Sequence, residues 1–495
     1  MERHNRTSAL LEALGRMSRA EGDMFLESLV FGLRVAPEMV KTTAGQVATL
    51  TAANLLARLG GSVVVDVPSA GVQLGGLPWD GQSLDAVAES IVSWSGGTVE
   101  NRRTPDAWIT LGDRSTDNAV AASGDDWTAT VDATGNFAGS HPLGAAAACC
   151  IAAGRAFHLA LAQRLGTPGP SRGPVSFSLL TSGVADSSSP SAGRASREVQ
   201  APEAVLVGAG AIANGFAWAV RTCSLPLGRL TVVDPQSLDE SNLNRHIAAG
   251  VDDVGRPKAS ILSEFLSPGH GDVTGVIGMF STIAKNWSRM PIVLSTVDND
   301  EARYQIQGSF PPLVIHGATS QEHLAVAVLD ASNGACLGCL FPRRERSPVE
   351  VIAEETGLPS HVIGTALEPG GVFTADMIAP MVKKLGVDAP TLESFVGEDF
   401  RQVYATEICG RLGSRSPVRG GAPTVAYVST LAGVLVAAQF AKLSDVSTRG
   451  HVLHNYLQMT PLAPSGAWVV FREKDPNCPL MCGSEALQAF LARRD

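Results

Sequence analysis

The chain is 495 residues long, has a formal net charge of −10 and is 45% hydrophobic. This length predicts more than one domain with ample buried core, while the acidic balance argues against nucleic acid as a partner. Eight cysteines are too few for a disulfide scaffold in so long a chain, which favours a reducing cytoplasm. The apolar stretch from Met24 to Phe31 is short and contains an acidic residue, so it is a poor secretion signal.

Residues 1–166 are predicted to form a first α/β domain. A short apolar strand there ends at Asp66, and an alanine-rich apolar helix runs from Pro142 to Leu161. Residues 167–202 follow, and their Ser, Pro and Gly content predicts a linker. Part of this linker, Val175 to Leu180, could still form a strand of the first domain.

The second half opens with the pattern of a strand, a glycine turn, a helix and a second strand. The apolar run Ala204–Val207 leads into Gly208-Ala209-Gly210, and after a helical stretch the apolar run Leu230–Val233 ends in Asp234. This is the layout of a mononucleotide-binding unit, in which glycines let the backbone approach phosphate and the acid binds ribose hydroxyls. Alone, such a pattern fits a dehydrogenase as well as other nucleotide-binding proteins.

The residues after this unit are more specific. Asn242 and Arg245 lie in the run Ser241–Arg245, and Lys258 stands thirteen positions further on. Hydride transfer has no need of this set, whereas an adenylating site must hold a triphosphate and neutralise the pyrophosphate that leaves. A third strand ends at Asp298, a natural place for a carboxylate that binds magnesium.

With these residues the chain resembles the adenylation domain of the enzymes that activate ubiquitin-like proteins, including the bacterial sulfur-carrier adenylyltransferases of thiamine and molybdopterin synthesis. The resemblance implies ATP and Mg²⁺ as cofactors. It implies that Asp234 binds ribose, that Asp298 holds magnesium, and that the phosphates are bound by Gly208, Gly210, Asn242, Arg245 and Lys258. The third glycine of the turn is replaced by Ala213, which is tolerable because that position packs the helix on the strand.

Two short cysteine pairs predict a metal site. They are Cys336 with Cys339 and Cys478 with Cys482. Four thiolates suit a closed, structural zinc site, which would fix the C-terminal segment to the domain. The same pairs occur in the related adenylyltransferases, although the second pair here has three intervening residues where those usually have two. Free thiols are the alternative. The remaining cysteines of the apolar helices are interpreted as core residues: Cys149, Cys150 and Cys223.

Residues 345–421 are predicted to be a helical insertion between two parts of the second domain, 203–344 and 422–495. Helices are expected from Thr374 to Leu385 and from Leu392 to Tyr404. Cys409 follows them, beside a glycine and several arginines, where a thiol could be partly ionised and mobile. Such a thiol can accept an acyl group as a thioester. The alternative is a buried or incidental cysteine.

Three features of the first domain recur in the same order in the second, which predicts an internal duplication. They are a strand that ends in an acid, a later strand and an apolar helix: the strands ending at Asp66 and Asp234, the strands at 106–113 and before Asp298, and the stretches Pro142–Leu161 and Pro423–Leu443. Within the last stretch, the segment Pro423–Ala441 barely reaches membrane-spanning length and is interpreted as a buried helix. The first copy has no glycine turn at Val35–Val40 and no Asn-Arg run.

The predicted fold class is therefore α/β, with two Rossmann-like adenylation domains in tandem, of which the first is degenerate and inactive. This arrangement is similar to that of ubiquitin-activating enzymes. In that family the inactive copy lends an arginine from its N-terminal helix to the active site. The candidates for that role are Arg3, Arg6, Arg16 and Arg19.

The predicted function is ATP-dependent activation of a ubiquitin-like protein. The C-terminal carboxylate of a small β-grasp protein would attack the α-phosphate, with Arg245 and Lys258 as the catalytic cations. Cys409 would then take the acyl group and pass it to a conjugating enzyme. No membrane partner is expected, and homodimerisation is left open. The alternatives are a sulfur-carrier or peptide adenylyltransferase without transthiolation, and a non-catalytic or redox nucleotide-binding protein.

Overall fold

The protein consists of two units, residues 1–341 with 424–495 and residues 342–423. The structure is a computed structural model. It describes residues 4–13, 16–72, 79, 81–112, 118–133, 137–171, 173–184, 202–267, 271–287, 290–330, 333–342, 347–385, 388–404, 424–444, 455–478, 480, 482 and 484.

The first half of the larger unit is an α/β fold built on short, buried strands. Its elements in chain order are α1 (Asn5–Ala13), α2 (Arg19–Ser28), β1 (Val30–Val35), α3 (Thr43–Leu59), β2 (Ser62–Asp66), α4 (Leu84–Trp94), β3 (Thr98–Val99), β4 (Ala107–Leu111), β5 (Ala119–Gly124), β6 (Thr128–Val131), α5 (Leu143–Leu165), β7 (Val175–Ser178) and β8 (Gly183–Val184). The eight strands form one sheet in the order β3-β2-β1-β4-β5-β6-β7-β8.

The second half repeats this plan. Its first elements are β9 (Ala204–Val207), α6 (Ala211–Thr222), β10 (Leu230–Val233), α7 (Lys258–Leu266), β11 (Val273–Val276), α8 (Phe280–Ala284), β12 (Ile292–Ser295), α9 (Asp300–Gly308), β13 (Val314–Ser320), β14 (His323–Leu329) and α10 (Leu337–Leu340). The smaller unit contributes α11 (Pro348–Thr356), α12 (Ser360–Ala366), α13 (Ile378–Leu385), α14 (Ala389–Glu393) and α15 (Phe400–Val403). The second half then closes with α16 (Ala426–Ser444), β15 (Tyr456–Met459) and β16 (Trp468–Val470).

The second sheet has the order β11-β10-β9-β12-β13-β14-β15-β16, which is the order of the first sheet. In both sheets the first five strands of that order pair in parallel and the last three join antiparallel. The parallel strands are nearly continuous apolar runs because helices cover both of their faces. The predicted α/β class with two Rossmann-like sheets and a helical insertion is confirmed.

Two long apolar helices, α5 and α16, lie in the hydrophobic core that the two halves share. By length and composition each could cross a membrane, but 83% and 89% of their most apolar windows are buried inside the protein. Close packing explains their glycines, since a Cβ at Gly154 would lie 2.9 Å from the Tyr427 ring. Likewise, a Cβ at Gly433 would lie 2.3 Å from the backbone nitrogen of Phe216 in α6. These helices are core elements, as the sequence predicts for the second of them.

The smaller unit has its own apolar core, in which Phe400 stacks between Phe373 and Tyr404 with 6.3 Å between ring centroids on each side. The prediction of one helix from Leu392 to Tyr404 is wrong. The chain forms two separate short helices there, α14 and α15. Gly397 lies between them with φ +94°, a left-handed conformation that interrupts a right-handed helix and that glycine adopts without steric strain.

Candidate nucleotide-binding site and cysteine cluster

The glycine turn after β9 holds the carboxylate of Asp234 in place. Gly208 has φ +88°, and its N–H donates to the carbonyl of Val233 at 2.9 Å. The N–H of Ala209 donates to one oxygen of Asp234 at 2.7 Å, and the N–H of Gln236 donates to the other at 2.7 Å. Each carboxylate oxygen can accept a second hydrogen bond. The two oxygens of Asp234 are therefore oriented to accept hydrogen bonds from hydroxyl groups next to the start of α6.

A one-turn 3₁₀ helix at Glu240–Asn242 presents the Asn-Arg segment. Asp239 accepts the N–H of Ser241 at 2.8 Å, while the Asn242 side chain accepts the N–H of Asp239 at 3.3 Å. The Arg245 guanidinium lies back along this turn and donates to the carbonyl of Ser241 at 2.8 Å. Hydrogen bonds from Ser241, together with the nearby positive charges, lower the pKa of Asp239.

Lys258 lies near the other charged residues that the sequence predicts for the nucleotide site. It is the first residue of α7 and is 8% exposed, and its ammonium donates to the Gln236 side chain at 2.8 Å. Burial lowers the pKa of Lys258, and the charge of Arg245 lowers it further, whereas Asp234, Asp298 and Asp239 act to raise it. Four charged groups, three from residues 234–245 and one after β12, therefore lie within electrostatic reach of this one ammonium.

Asp298 follows the central strand β12 at the same edge of the sheet. Just before it, the Thr296 hydroxyl donates to the carbonyl of Gly208 at 2.5 Å, which fixes the end of β12 against the glycine turn. The Asp298 carboxylate is exposed, and the next residue, Asn299, caps α9 by accepting the N–H of Ala302 at 2.8 Å. An exposed carboxylate oxygen in this position is suited to bind Mg²⁺.

Two residues for which the sequence predicted no role, Asn214 and His246, join the glycine turn to the Asn-Arg segment. Asn214 in α6 donates to the carbonyl of Gly210 at 2.9 Å and lies 3.2 Å from the Nδ1 atom of His246. Its side-chain oxygen accepts the N–H of Ala248 at 3.2 Å. Burial lowers the pKa of His246 well below its usual value, as do the charges of Arg245, Lys258 and Arg58. An asparagine inside an apolar helix is the sequence signal that could have revealed this contact.

The structure brings the two cysteine pairs together. The Cys336 sulfur lies 3.7 Å from that of Cys339 and 3.5 Å from that of Cys478, and the Cys339 and Cys482 sulfurs are 3.4 Å apart. Four sulfurs at about 2.3 Å from a tetrahedral zinc ion are about 3.8 Å from one another. All four sulfurs here lie within 4.8 Å of each other, so the cluster could hold zinc with little movement.

The other candidate residues are placed as follows. Cys409 lies outside the described residues. Cys149, Cys150 and Cys223 are buried, and burial raises the pKa of each thiol. Of the four N-terminal arginines, Arg16 is exposed and Arg19 is half-buried, while Arg3 and the side chain of Arg6 lie outside the described part of the chain.

His316 is buried in β13. Its Nδ1 atom lies 3.0 Å from the Ser295 hydroxyl, and its ring meets that of Phe341 edge to face at 5.2 Å. Burial, together with the charge of Arg303, lowers the pKa of His316 to about 3. This placement is that of a structural, neutral histidine.

Known proteins match both halves of the chain. The ThiF family matches residues 193–480, and the BilD N-terminal domain matches residues 31–179. The uncharacterized protein y4jF of Sinorhizobium fredii is 30% identical over 344 residues, which cover 65% of this chain and 64% of that protein. The adenylyltransferase and sulfurtransferase uba4 of Neosartorya fischeri is 27% identical over 199 residues, which cover 37% of this chain and 39% of uba4.

The chain therefore spans less than two thirds of the length of either relative. Among solved structures, Escherichia coli MccB with MccA-N7isoASN aligns with a TM-score of 0.37 and 15% identity, covering 57% of this chain and 67% of MccB. The ThiF match alone extends over more than half of the chain. The chain belongs to the ThiF family.

Proposed function

We propose that this protein uses MgATP to adenylate the C-terminal carboxylate of a small β-grasp protein and then carries the acyl group on Cys409. The observation that carries the first step is the link between Asp234 and the buried Lys258: the Gln236 N–H donates to Asp234 at 2.7 Å, and the Lys258 ammonium donates to the Gln236 side chain at 2.8 Å. The charges of Arg245 and Asp298 lie within electrostatic reach of the same ammonium. Cations and an exposed carboxylate beside a glycine turn suit a magnesium triphosphate, whereas hydride transfer has no use for them.

We propose a task for each group. Asp234 accepts the ribose hydroxyls, and the amides at the start of α6 face the phosphates. Arg245 and Lys258 neutralise the charge that develops on the leaving pyrophosphate. Asp298 would hold Mg²⁺, which would withdraw charge from the phosphate oxygens. Asn242 adds a side-chain amide donor.

The chemistry of this step needs no general base. An oxygen of the incoming carboxylate is already ionised and attacks the α-phosphorus, while the bond from that phosphorus to the pyrophosphate oxygen breaks. The products are an acyl adenylate and pyrophosphate. Catalysis is therefore positioning and charge neutralisation.

In the second step the Cys409 thiolate attacks the acyl carbonyl, a C–S bond forms and AMP leaves. Transfer to a cysteine of a conjugating enzyme would follow by thioester exchange. The helical unit of residues 342–423 supports this part of the proposal, because Cys409 lies within it and adenylation alone requires no such unit.

A second candidate is adenylation without transthiolation, with a sulfur carrier or a peptide as substrate. The observation that favours it is the match to uba4, which is named as both an adenylyltransferase and a sulfurtransferase. The two candidates share the nucleotide site and differ only after the acyl adenylate has formed. A carrier protein recovered as its thiocarboxylate would support this second candidate.

ATP–pyrophosphate exchange in the presence of candidate proteins with glycine tails tests the proposal. Asp298→Ala should abolish exchange, while Asp300→Ala, a change at an exposed acid two residues away that pairs with Arg303 at 2.7 Å, should leave it within about twofold. Cys409→Ala should retain exchange and lose the thioester adduct that a thiol reductant cleaves.

Three results would count against parts of the proposal. If the wild-type protein never exchanges pyrophosphate with any candidate, adenylation is wrong. If Cys409→Ala still forms a thioester adduct that a thiol reductant cleaves, the acceptor thiol is another cysteine. If the protein binds NAD more tightly than ATP in a titration, the redox alternative replaces both candidates.

A further inference from the structure

Two buried polar side chains of the first half hold the backbone that follows Asn242 in the second half. Arg58, near the end of α3, is 1% exposed. Its guanidinium donates through one terminal nitrogen to the carbonyl of Leu243 and through the other to the carbonyl of Ala249, the latter at 2.8 Å. A single planar group thus brackets both ends of a seven-residue stretch.

Asn54, one helical turn earlier, completes this support. Its amide nitrogen donates to the carbonyl of Ile247 at 2.9 Å, and its oxygen accepts both the Arg58 Nε–H at 2.7 Å and the Ser95 hydroxyl at 3.0 Å. The Trp94 ring lies 5.8 Å from the Arg58 guanidinium. It also packs on Gly250, where a Cβ would be 1.9 Å from the indole nitrogen.

This support matters because residues 243–250 form neither a helix nor a strand. Buried carbonyls outside regular secondary structure need donors from elsewhere, because leaving one unsatisfied destabilises the fold. A guanidinium supplies several donors in one rigid plane, which a lysine cannot. The conformation of the segment that presents Arg245 therefore depends on a residue of the other half.

We propose that Arg58 is a positioning residue for the nucleotide site: it fixes residues 243–249 so that Asn242 and Arg245 meet the β- and γ-phosphates of ATP. This inference rests on the proposed function. It makes the degenerate first half a working part of the active site, although Arg58 itself touches no substrate.

The inference predicts an effect confined to one end of the nucleotide. Asp234 is held by the amides of Ala209 and Gln236, which belong to the second half. Loss of Arg58 should therefore loosen the triphosphate end and spare the ribose end. AMP, which lacks the β- and γ-phosphates, should bind as before.

The test is isothermal titration of the full-length protein with ATP and with AMP. Arg58→Met keeps the apolar stem of the side chain and removes the guanidinium. We therefore expect ATP to bind at least tenfold more weakly and AMP to bind with an affinity within about twofold of wild type. Arg155→Met is the matched control. Arg155 is also a buried arginine of the first half, but its partners, Asp132 at 2.6 Å and the Gly173 carbonyl at 3.1 Å, lie in that half.

Arg155→Met should lower the melting temperature and leave both affinities unchanged. Unchanged ATP affinity in Arg58→Met, or equal losses for ATP and AMP, would overturn the positioning role while leaving the proposed function intact. A wild-type protein that binds no ATP would overturn both.

Arg58→Lys provides a second variant in case Arg58→Met fails to fold. It retains the charge without a fork that spans two carbonyls. We expect the same ATP-selective loss at smaller size, and an ATP-to-AMP affinity ratio equal to that of wild type would contradict the inference.

Discussion

The two halves of the larger unit have the same strand order and differ at the carboxyl ends of their central strands. In the second half a glycine turn follows β9, and Asp234 is buried and held by two backbone amides. In the first half β1 leads into a 3₁₀ turn at Met39–Lys41. The corresponding acid, Asp66, is exposed and pairs with Arg34 at 2.7 Å.

This difference shows that the apolar residues that maintain the fold are distinct from the polar residues proposed to carry the chemistry. The strands and the core helices α5 and α16 bury apolar surface in both halves, so both frames persist. The polar residues at the strand ends do not contribute to that burial and can be lost independently. The first half has no glycine turn after β1 and no Asn-Leu-Asn-Arg run in its sequence, yet it supplies Arg58 and Asn54 to its neighbour. Both side chains contact the backbone beside the site proposed for the second half.

Substitution of the corresponding acids, Asp234 and Asp66, tests the difference between the two halves most directly. Asp234→Ala removes the proposed ribose ligand and the acceptor of two amide N–H groups, so we expect ATP–pyrophosphate exchange to fall by more than about a hundredfold. Asp66→Ala removes only an exposed ion pair, worth about 0–1 kcal/mol. Exchange by that variant should stay within about twofold. Similar losses in the two variants would show that the first half retains a site.

The cysteine cluster belongs to the second half alone, and its removal should have the next largest effect. Cys336→Ser disrupts contacts to two other sulfurs and should eliminate bound zinc, measured by metal analysis of the purified protein. We expect the melting temperature to fall and protease to cut near the C-terminal segment, which the metal would fix.

Cys223→Ala is the control for this change. It alters a buried thiol of the same half that lies outside the cluster. Zinc content should match that of wild type, with only a small loss of stability from the missing sulfur. Full zinc content in Cys336→Ser would mean that the zinc is bound elsewhere in the protein or that three thiolates suffice.

The sequence predicted the parts of the molecule whose signals are local. Apolar runs bounded by glycine and an acid identify β9 and β10 because buried parallel strands must be apolar. The spacing of the cysteine pairs predicts a metal site, and the structure brings their four sulfurs together. The glycine turn after β9 could be recognised in the same way, because the positive φ of Gly208 favours glycine.

Contacts with the backbone carry no such signal. Arg58 reaches carbonyls 185 and 191 positions further along the chain, and any residue type can supply a carbonyl. The interruption at Gly397 also went unpredicted, because one glycine in a helical pattern is usually tolerated and only its positive φ reveals the break. In both cases the deciding information is tertiary geometry.

The corresponding core helices offer the smallest and most quantitative test. The last turn of α5 carries Arg164, which is partly exposed and pairs with Asp106 at 3.1 Å. The last turn of α16 carries Lys442, which is fully buried and donates to Gln439 at 3.3 Å. Burial lowers the pKa of Lys442 from 10.5 to about 7. The second half thus carries a cation whose charged form opposes folding.

The sign of the resulting pH dependence follows from this lowered pKa. Below about pH 7 the lysine is protonated in both states, and the cost of burying its charge is fully present. Between about pH 7 and 10.5 the unfolded state binds more protons, so Lys442 makes the free energy of unfolding rise by about 1.4 kcal/mol for each pH unit.

Lys442→Met keeps the aliphatic stem and removes the charge. We expect it to stabilise the protein most at pH 6 and progressively less towards pH 9, measured by denaturant unfolding at each pH. Lys41→Met, at an exposed lysine of the first half, should show no such trend. If the stabilisation by Lys442→Met is the same at every pH, the lysine is not buried as a cation and this difference between α5 and α16 disappears.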